Sequence, residues 1–391
     1  MKLLYSKHPI FNKELRVFGY ELLYKDMDTT ESGVTGDDAA VNMMAEILGN
    51  DEISGKALGQ LVFVNFTKAM LLSKTAYSYP ADLLVIVLSD NIGIDNEVME
   101  CCQELRDKGY LIALTDVSQG EKSLFRYANI LKLDCRINPA TVASLQGRTR
   151  FLASNVDTQQ DYERAKQAGF TFFQGFFFAK PVPISKQSHD PSRITTMHLM
   201  SESIKQPMSF TAISNIIQRD AVATYKLLMM VNSAYYSLRN EIKDVRHAVS
   251  FLGEYELRKW AILLSMLTIG KDKPDELIRF SLRRAEFCQG LAKYLRVNHD
   301  EYFLIGLLSL IDVVMGCTME QALSDIIVAD TVRNALTAVE NKPAKILEAL
   351  KSYELGDWDT AEELFWDIEI PIEVVSGIFN EADSKSHQLL S

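Results

Sequence analysis

The chain has 391 residues, 47% of them hydrophobic and 24% charged, which excludes a disordered or low-complexity chain over most of its length and allows roughly two or three domains. Lys and Arg total 41 against 52 Asp and Glu, a net charge of −11, so a nucleic-acid binder that works by neutralising phosphates is disfavoured. Cys101, Cys102, Cys135, Cys288 and Cys317 form no C-x-x-C pair, and they read as small core residues of a reducing compartment.

At the N-terminus the apolar run Leu3-Leu4-Tyr5 is short and is interrupted by Lys7 and His8, which does not suit a secretory signal. β-rich runs then recur at Leu3–Phe11, Val17–Tyr24, Leu61–Thr67, Leu83–Leu88, Tyr110–Val117, Ile130–Asp134, Arg150–Asn155 and Phe170–Phe178. Helical stretches lie between them at Asp37–Leu48, Asp95–Lys108, Pro139–Leu145 and Thr158–Ala168. Leu83–Leu88 is apolar on both faces, as a parallel strand covered by helices requires. This alternation predicts a closed (β/α) barrel. The first two runs have no helix between them, which predicts a hairpin around Asn12–Arg16. The aromatic run Phe170, Phe172, Phe173, Phe176, Phe177 and Phe178 lacks interleaved Arg or Lys, so it reads as barrel core rather than a base-stacking surface.

Lys180-Pro181-Val182-Pro183 and the polar stretch Ser185–Ser192 read as a linker. From Ile194 onward the periodicity is helical. Ile204, Ile213, Ile216 and Ile217 mark one amphipathic helix and Ala223–Val231 another. Further helices are predicted at Val245–Leu252, Glu256–Leu267, Pro274–Leu295, Tyr302–Val313, Thr318–Ile327, Asp330–Val339, Pro343–Ser352 and Trp358–Phe365. The predicted boundaries are a barrel domain at 1–184, a linker at 185–193 and an all-α domain at 194–391. The apolar stretch Tyr302–Met319 breaks at Asp312, which suits a buried helix rather than a membrane span. A cytoplasmic protein with no membrane partner is expected.

Within this frame, several segments carry a resemblance. Gly19-Tyr20-Glu21-Leu22-Leu23, Asn65 in Phe63-Val64-Asn65-Phe66, Lys132-Leu133-Asp134, and Gln174-Gly175-Phe176 followed by Lys180-Pro181 stand in an order and spacing that resembles the EAL domain. That domain is the phosphodiesterase that linearises the bacterial messenger cyclic di-GMP. Asp220, Leu227-Leu228, Val231-Asn232-Ser233-Ala234, His247-Ala248-Val249 and Leu252-Gly253 resemble the HDOD domain, a relative of HD-type phosphohydrolases without their metal site. Together they look like the EAL–HDOD signalling family. The resemblance implies an α/β plus all-α protein, a modified (β/α)8 TIM-like barrel followed by a helical HDOD domain.

Two-metal phosphodiester cleavage needs oxygen ligands that hold two cations at the C-terminal ends of the barrel strands. By the resemblance, Glu21 and Asn65 match metal ligands, Asp116 the second of an Asp-Asp pair, Lys132 the active-site lysine and Gln174 the glutamine near the attacking water. Three carboxylates of the pattern are replaced, by Val87, Thr115 and Ser154. Valine cannot ligate, and neutral hydroxyls barely offset dehydration of a divalent cation. Lys132 can pair with Glu21 or Asp116 instead, leaving a hydrogen-bonded cluster that caps the barrel mouth. The expectation is a catalytically inert barrel with no metal and no cofactor.

The parts that grip substrate also depart from the pattern. His8-Pro9 stands where the family often has Gln-Pro, and Tyr24-Lys25 where it often has Arg. These changes count against cyclic di-GMP binding. In the helical half, Ser309-Leu310 stands where hydrolytic relatives carry His-Asp, and the pairs His189-Asp190 and His299-Asp300 fall outside a core helix, with Asp300 read as an N-cap. His247 reads as a satisfied core histidine and Asn232-Ser233 as a structural turn. The reading is a non-catalytic regulator that docks a signalling protein through its helical domain, with a homodimer as a further expectation. Its alternatives are a cyclic di-GMP-binding sensor and a weak phosphodiesterase. Trp358, Phe365 and Trp366, in the acidic stretch Glu354–Glu373, are candidate anchors for a partner.

Overall fold

The computed structural model describes residues 3–26, 41, 44–45, 60–89, 92–115, 124–145, 149–181, 191–233, 241–324 and 326–388. The helix expected at Asp37–Leu48 falls almost entirely outside them. Strands β1 (Leu3–Phe11), β2 (Val17–Asp26), β3 (Leu61–Asn65), β4 (Leu84–Ser89), β5 (Leu111–Thr115), β6 (Ile130–Asp134), β7 (Arg150–Ser154) and β8 (Phe172–Gln174) close in that order into a barrel. β1 is antiparallel to both β2 and β8, and β2 to β8 are parallel. The expected hairpin is present. The Asn12 side chain accepts from the Glu14 and Arg16 amides, and Leu15 takes a positive φ of 59° to turn the chain.

The barrel interior is filled by Ile10, Phe63, Val85, Val87, Ala113, Ile130, Leu152 and Phe172. Helices α1 (Lys68–Leu72), α2 (Asn96–Asp107), α3 (Pro139–Ser144) and α4 (Gln159–Gln167) each start at a side-chain cap, supplied by Thr67, Asp95, Asn138 and Thr158. Strand β8 is shorter than the run Phe170–Phe178 predicts. Gly175 takes φ 150°, and a Cβ there would lie 2.1 Å from the Val156 carbonyl oxygen, so the chain leaves the sheet at that point. Phe170, Phe172, Phe173, Phe177 and Phe178 are buried as expected while Phe176 is half-buried, and Tyr162 stacks on Phe177 with centroids 5.0 Å apart.

The helical elements are α5 (Pro191–Ile204), α6 (Phe210–Gln218), α7 (Ala221–Val231), α8 (Val245–Ile269), α9 (Asp275–Leu295), α10 (His299–Leu308), α11 (Ile311–Met315), α12 (Met319–Ser324) and α13 (Asp330–Leu336). After them come α14 (Lys342–Glu354), α15 (Trp358–Trp366) and α16 (Ile372–Gln388). One core unites Leu199, Ile213, Ile217, Leu227, Val249 and Leu257. The two helices predicted at 245–252 and 256–267 join as α8, with non-helical Gly253 (φ 71°) at the junction. Helices α9 and α10 touch at Gly306, where a Cβ would lie 2.2 Å from the Arg284 carbonyl oxygen. No helix among the described residues is long and apolar enough to cross a membrane.

Three local expectations are corrected. Asn298, not Asp300, caps α10, its side chain accepting from the Asp300 and Glu301 amides. His247 is exposed on α8 rather than in the core, because the apolar positions that turn inward are Val245, Ala248 and Val249. Asn232 does more than close a local turn. Its amide donates to the Leu228 and Ile242 carbonyls and its oxygen accepts the Ile242 amide, which ties the ends of 232–242 together.

The boundaries also change. The chain forms one unit from Met1–Lys180 plus Lys345–Ser391, and a second from Pro181–Ala344, whereas the sequence placed everything from 194 to 391 in one domain. Helix α5 begins at Pro191, inside the expected 185–193 linker. The last helices join the barrel because they bury groups against it. Lys7 on β1 pairs with Asp383 on α16 at 2.7 Å, with both side chains at most 3% exposed.

Candidate functional site

The site is built where β2, β3, β6 and β8 converge. Glu21 is only 3% exposed and lies in register with inward-facing Phe63. One of its carboxylate oxygens, Oε2, accepts from Lys132 Nζ and from Gln174 Nε2, both at 2.6 Å. The other, Oε1, accepts from Asn65 Nδ2 at 3.5 Å. Four of the five candidate residues therefore meet around a single carboxylate. Asp116, the fifth, lies outside the described residues.

Burial pushes the Glu21 carboxyl up, but the adjacent Lys132 charge, the hydrogen bonds from Lys132 and Gln174, and nearby His8 outweigh it. The group is held below the usual carboxylate range and stays ionised. His8 sits opposite Glu21 in the β1–β2 ladder. Its ring packs edge-on to Phe176 at 5.4 Å, and its Nε2 donates to the Glu354 carbonyl at 2.9 Å.

The three positions expected to have lost a carboxylate, Val87, Thr115 and Ser154, lie on β4, β5 and β7. Val87 is 1% exposed and sits in the apolar interior, in register with Asn65 and Ala113. Thr115 and Ser154 end β5 and β7 half-buried, and the Ser154 carbonyl accepts the Cys135 amide. Among the described residues no group of three or more His, Cys, Asp and Glu side chains is placed to hold a metal ion. Burial pushes the Cys135 thiol up to about 11 and the Cys102 thiol up to about 12, which disfavours the thiolate at both.

In the helical unit, Ser309 caps α10 and Leu310 is 5% exposed. The position facing this pair is taken by a buried guanidinium, with Arg284 Nη1 donating to Ser309 Oγ at 3.3 Å. Nearby, Lys259 and Glu286 pair at 2.8 Å. Burial lowers the Lys259 ammonium, but Glu286 more than reverses this and holds it above its ordinary value. Of the three aromatic anchors, Trp358 and Phe365 are buried and only Trp366 is free to meet a partner, at 77% exposed. Sequence reasoning missed the His8–Glu354 contact, for which no local signal exists across 346 positions.

The HDOD domain family model matches residues 191–366. YuxH of Bacillus subtilis, described as uncharacterized, is 32% identical over 382 residues, covering 93% of this chain and 93% of that protein. CdgJ of Vibrio cholerae, named a cyclic di-GMP phosphodiesterase, is 28% identical over 400 residues, covering 98% of this chain and 92% of that one. Among solved structures, Klebsiella pneumoniae BlrP1 with calcium and cyclic di-GMP aligns at 18% identity over 46% of this chain and 56% of that one, with a TM-score of 0.38.

Proposed function

The chain belongs to the EAL–HDOD family of proteins related to cyclic di-GMP signalling, and from that premise we propose that it is a non-catalytic regulator that contacts another signalling protein through its helical part. One observation carries the inert half of this reading. Oε2 of the central carboxylate, Glu21, is committed to Lys132 and Gln174. A divalent cation seated there would have to displace an ammonium already paired at 2.6 Å. Three more of the pattern's acids are replaced across the mouth by an apolar side chain and two neutral hydroxyls, at Val87, Thr115 and Ser154, which leaves Asp116 as the one other carboxylate of the pattern. This donor set does not fit a pair of divalent cations, so no hydrolytic step is derived through them.

The docking half is supported by α7. Val222, Tyr225 and Met229 are 63%, 64% and 57% exposed, and spaced by three and four residues they form one stripe on that helix. An apolar stripe left in water on a helix suits a partner contact.

The test uses the full chain with cyclic di-GMP and Mg²⁺ or Mn²⁺. The expected result is no linear dinucleotide. Linear product that Glu21→Ala abolishes would overturn the reading. The Vibrio cholerae relative, named for acting on cyclic di-GMP, supports a second reading in which this chain still binds that dinucleotide, and micromolar heat in calorimetry without linear product would favour such a sensor over a pure docking protein. Full-chain affinity capture, repeated with Tyr225→Ala, tests the docking face. A protein recovered equally by both chains does not use it.

A further inference from the structure

The hairpin β1–β2 runs past the barrel mouth, and residues two apart on a strand share a face. His8 pairs with Glu21, and toward the mouth the same face carries Ser6 with Leu23 and then Leu4 with Lys25. Three successive points of the C-terminal segment 354–359 meet this face in turn. The Glu354 carbonyl accepts from His8 Nε2 at 2.9 Å. At Gly356, which has φ 76°, a Cβ would lie 3.0 Å from Leu23 Cδ1 and 3.8 Å from Ser6 Oγ. Asp359 Oδ1 lies 2.5 Å from Lys25 Nζ. Leu4 and Ser6 are each 1% exposed, and Ser6 Oγ makes no hydrogen bond. The opposite face of the hairpin is held independently, by the buried Lys7–Asp383 pair and by Tyr20 against the His387 ring.

We propose that segment 354–359 is a built-in cover over the barrel mouth. The two groups on this rim that suit an anion are His8 and Lys25, and the chain's own carbonyl and carboxylate engage both. The contacts differ in strength along the cover. Lys25 and Asp359 are 40% and 86% exposed, so water and salt weaken their pairing. The Lys7–Asp383 anchor is dry. The cover can therefore lift at Asp359 while α16 stays attached to β1. This inference holds whether or not the barrel hydrolyses anything, because it concerns access to the mouth.

The experiment places a thiol under the cover with the near-isosteric Ser6→Cys, in the full chain with the half-buried Cys101 and Cys317 changed to Ser. Modification by a water-soluble thiol reagent is expected to be slow. It should accelerate at least tenfold with Asp359→Lys and also with added salt in the chain that keeps Asp359. Equal rates with Asp and Lys at 359, or rapid modification with Asp359 intact, overturn the proposal. Hydrogen exchange on the unsubstituted chain supplies the second measurement. Amides of 354–359 and of 21–26 should gain exchange together as salt rises, and independent behaviour refutes the cover. Neither readout involves nucleotide, so cleavage of cyclic di-GMP would sink the earlier reading without touching this one.

Discussion

Replacing Lys132 with Met isolates the ion pair at the barrel mouth. Glu21 is 3% exposed, so the variant leaves a buried carboxylate with only Gln174 and Asn65 as donors. Removing one partner of a buried pair costs about 3–5 kcal/mol. The Lys132 side chain is 17% exposed, so water partly replaces the lost ammonium and the loss should fall near the lower end, about 3 kcal/mol at neutral pH. The pH dependence has a definite sign. In the parent, the Glu21 carboxyl is depressed below its unfolded value, so its stabilisation is complete above about pH 4.3 and is lost as pH falls through the lower folded value. In Lys132→Met, burial is no longer opposed, the carboxyl rises, and the folded variant gains stability on protonation. The gap between the two proteins should therefore be widest near pH 7.5 and narrow toward pH 4.5. Urea unfolding measures it, in a Trp260→Phe background where Trp358 and Trp366 report on the barrel unit. Adding Glu21→Gln to the variant should recover most of the loss. A deficit under about 1 kcal/mol, or one equal at both pH values, would refute the view that this pair holds the mouth.

Returning a carboxylate at position 87 should fail as a repair. Val87→Glu puts an unpaired charge among Ile10, Phe63 and Leu152 and should cost about 3–5 kcal/mol, with no recovery of the thermal midpoint on adding Mn²⁺. Lys7→Met should cost about 4 kcal/mol because its partner Asp383 is 2% exposed, while Lys7→Met with Asp383→Leu should restore near-parent stability in the same urea assay. Gly306→Ala should cost about 3 kcal/mol, since the new methyl meets the Arg284 backbone rather than a movable side chain, and calorimetry of the full chain should show it as a lowered transition of the helical unit.

Much of the barrel was readable because its signals are local. Ile130–Asp134 is apolar enough to be placed to the residue, and the helical stretches expected to start at Asp95 and Thr158 begin at the residues whose side chains cap α2 and α4. Breaks were harder. The helix expected from Tyr302 to Val313 stops at Ser309, where Arg284 arrives from α9 to meet the hydroxyl. The helix expected to include both Ile204 and Ile213 divides into α5 and α6. For the site, motif order placed Glu21, Asn65, Lys132 and Gln174 on separate strands, and barrel closure then brought their side chains to one carboxylate.

The sequence by itself determined the two-part architecture, the barrel followed by helices, which follows from periodicity and residue type acting over a few positions. Its resemblance to the EAL pattern implied the replaced acids at Val87, Thr115 and Ser154. Only the tertiary structure decided that Lys132 serves Glu21, that residues 345–391 belong with the barrel, and that Glu354 and Asp359 lie on His8 and Lys25. These pairings join residues 111 to 346 positions apart. Such contacts are selected by the packing of whole faces and by the cost of leaving buried charges without partners, and neither is written in any short stretch of chain.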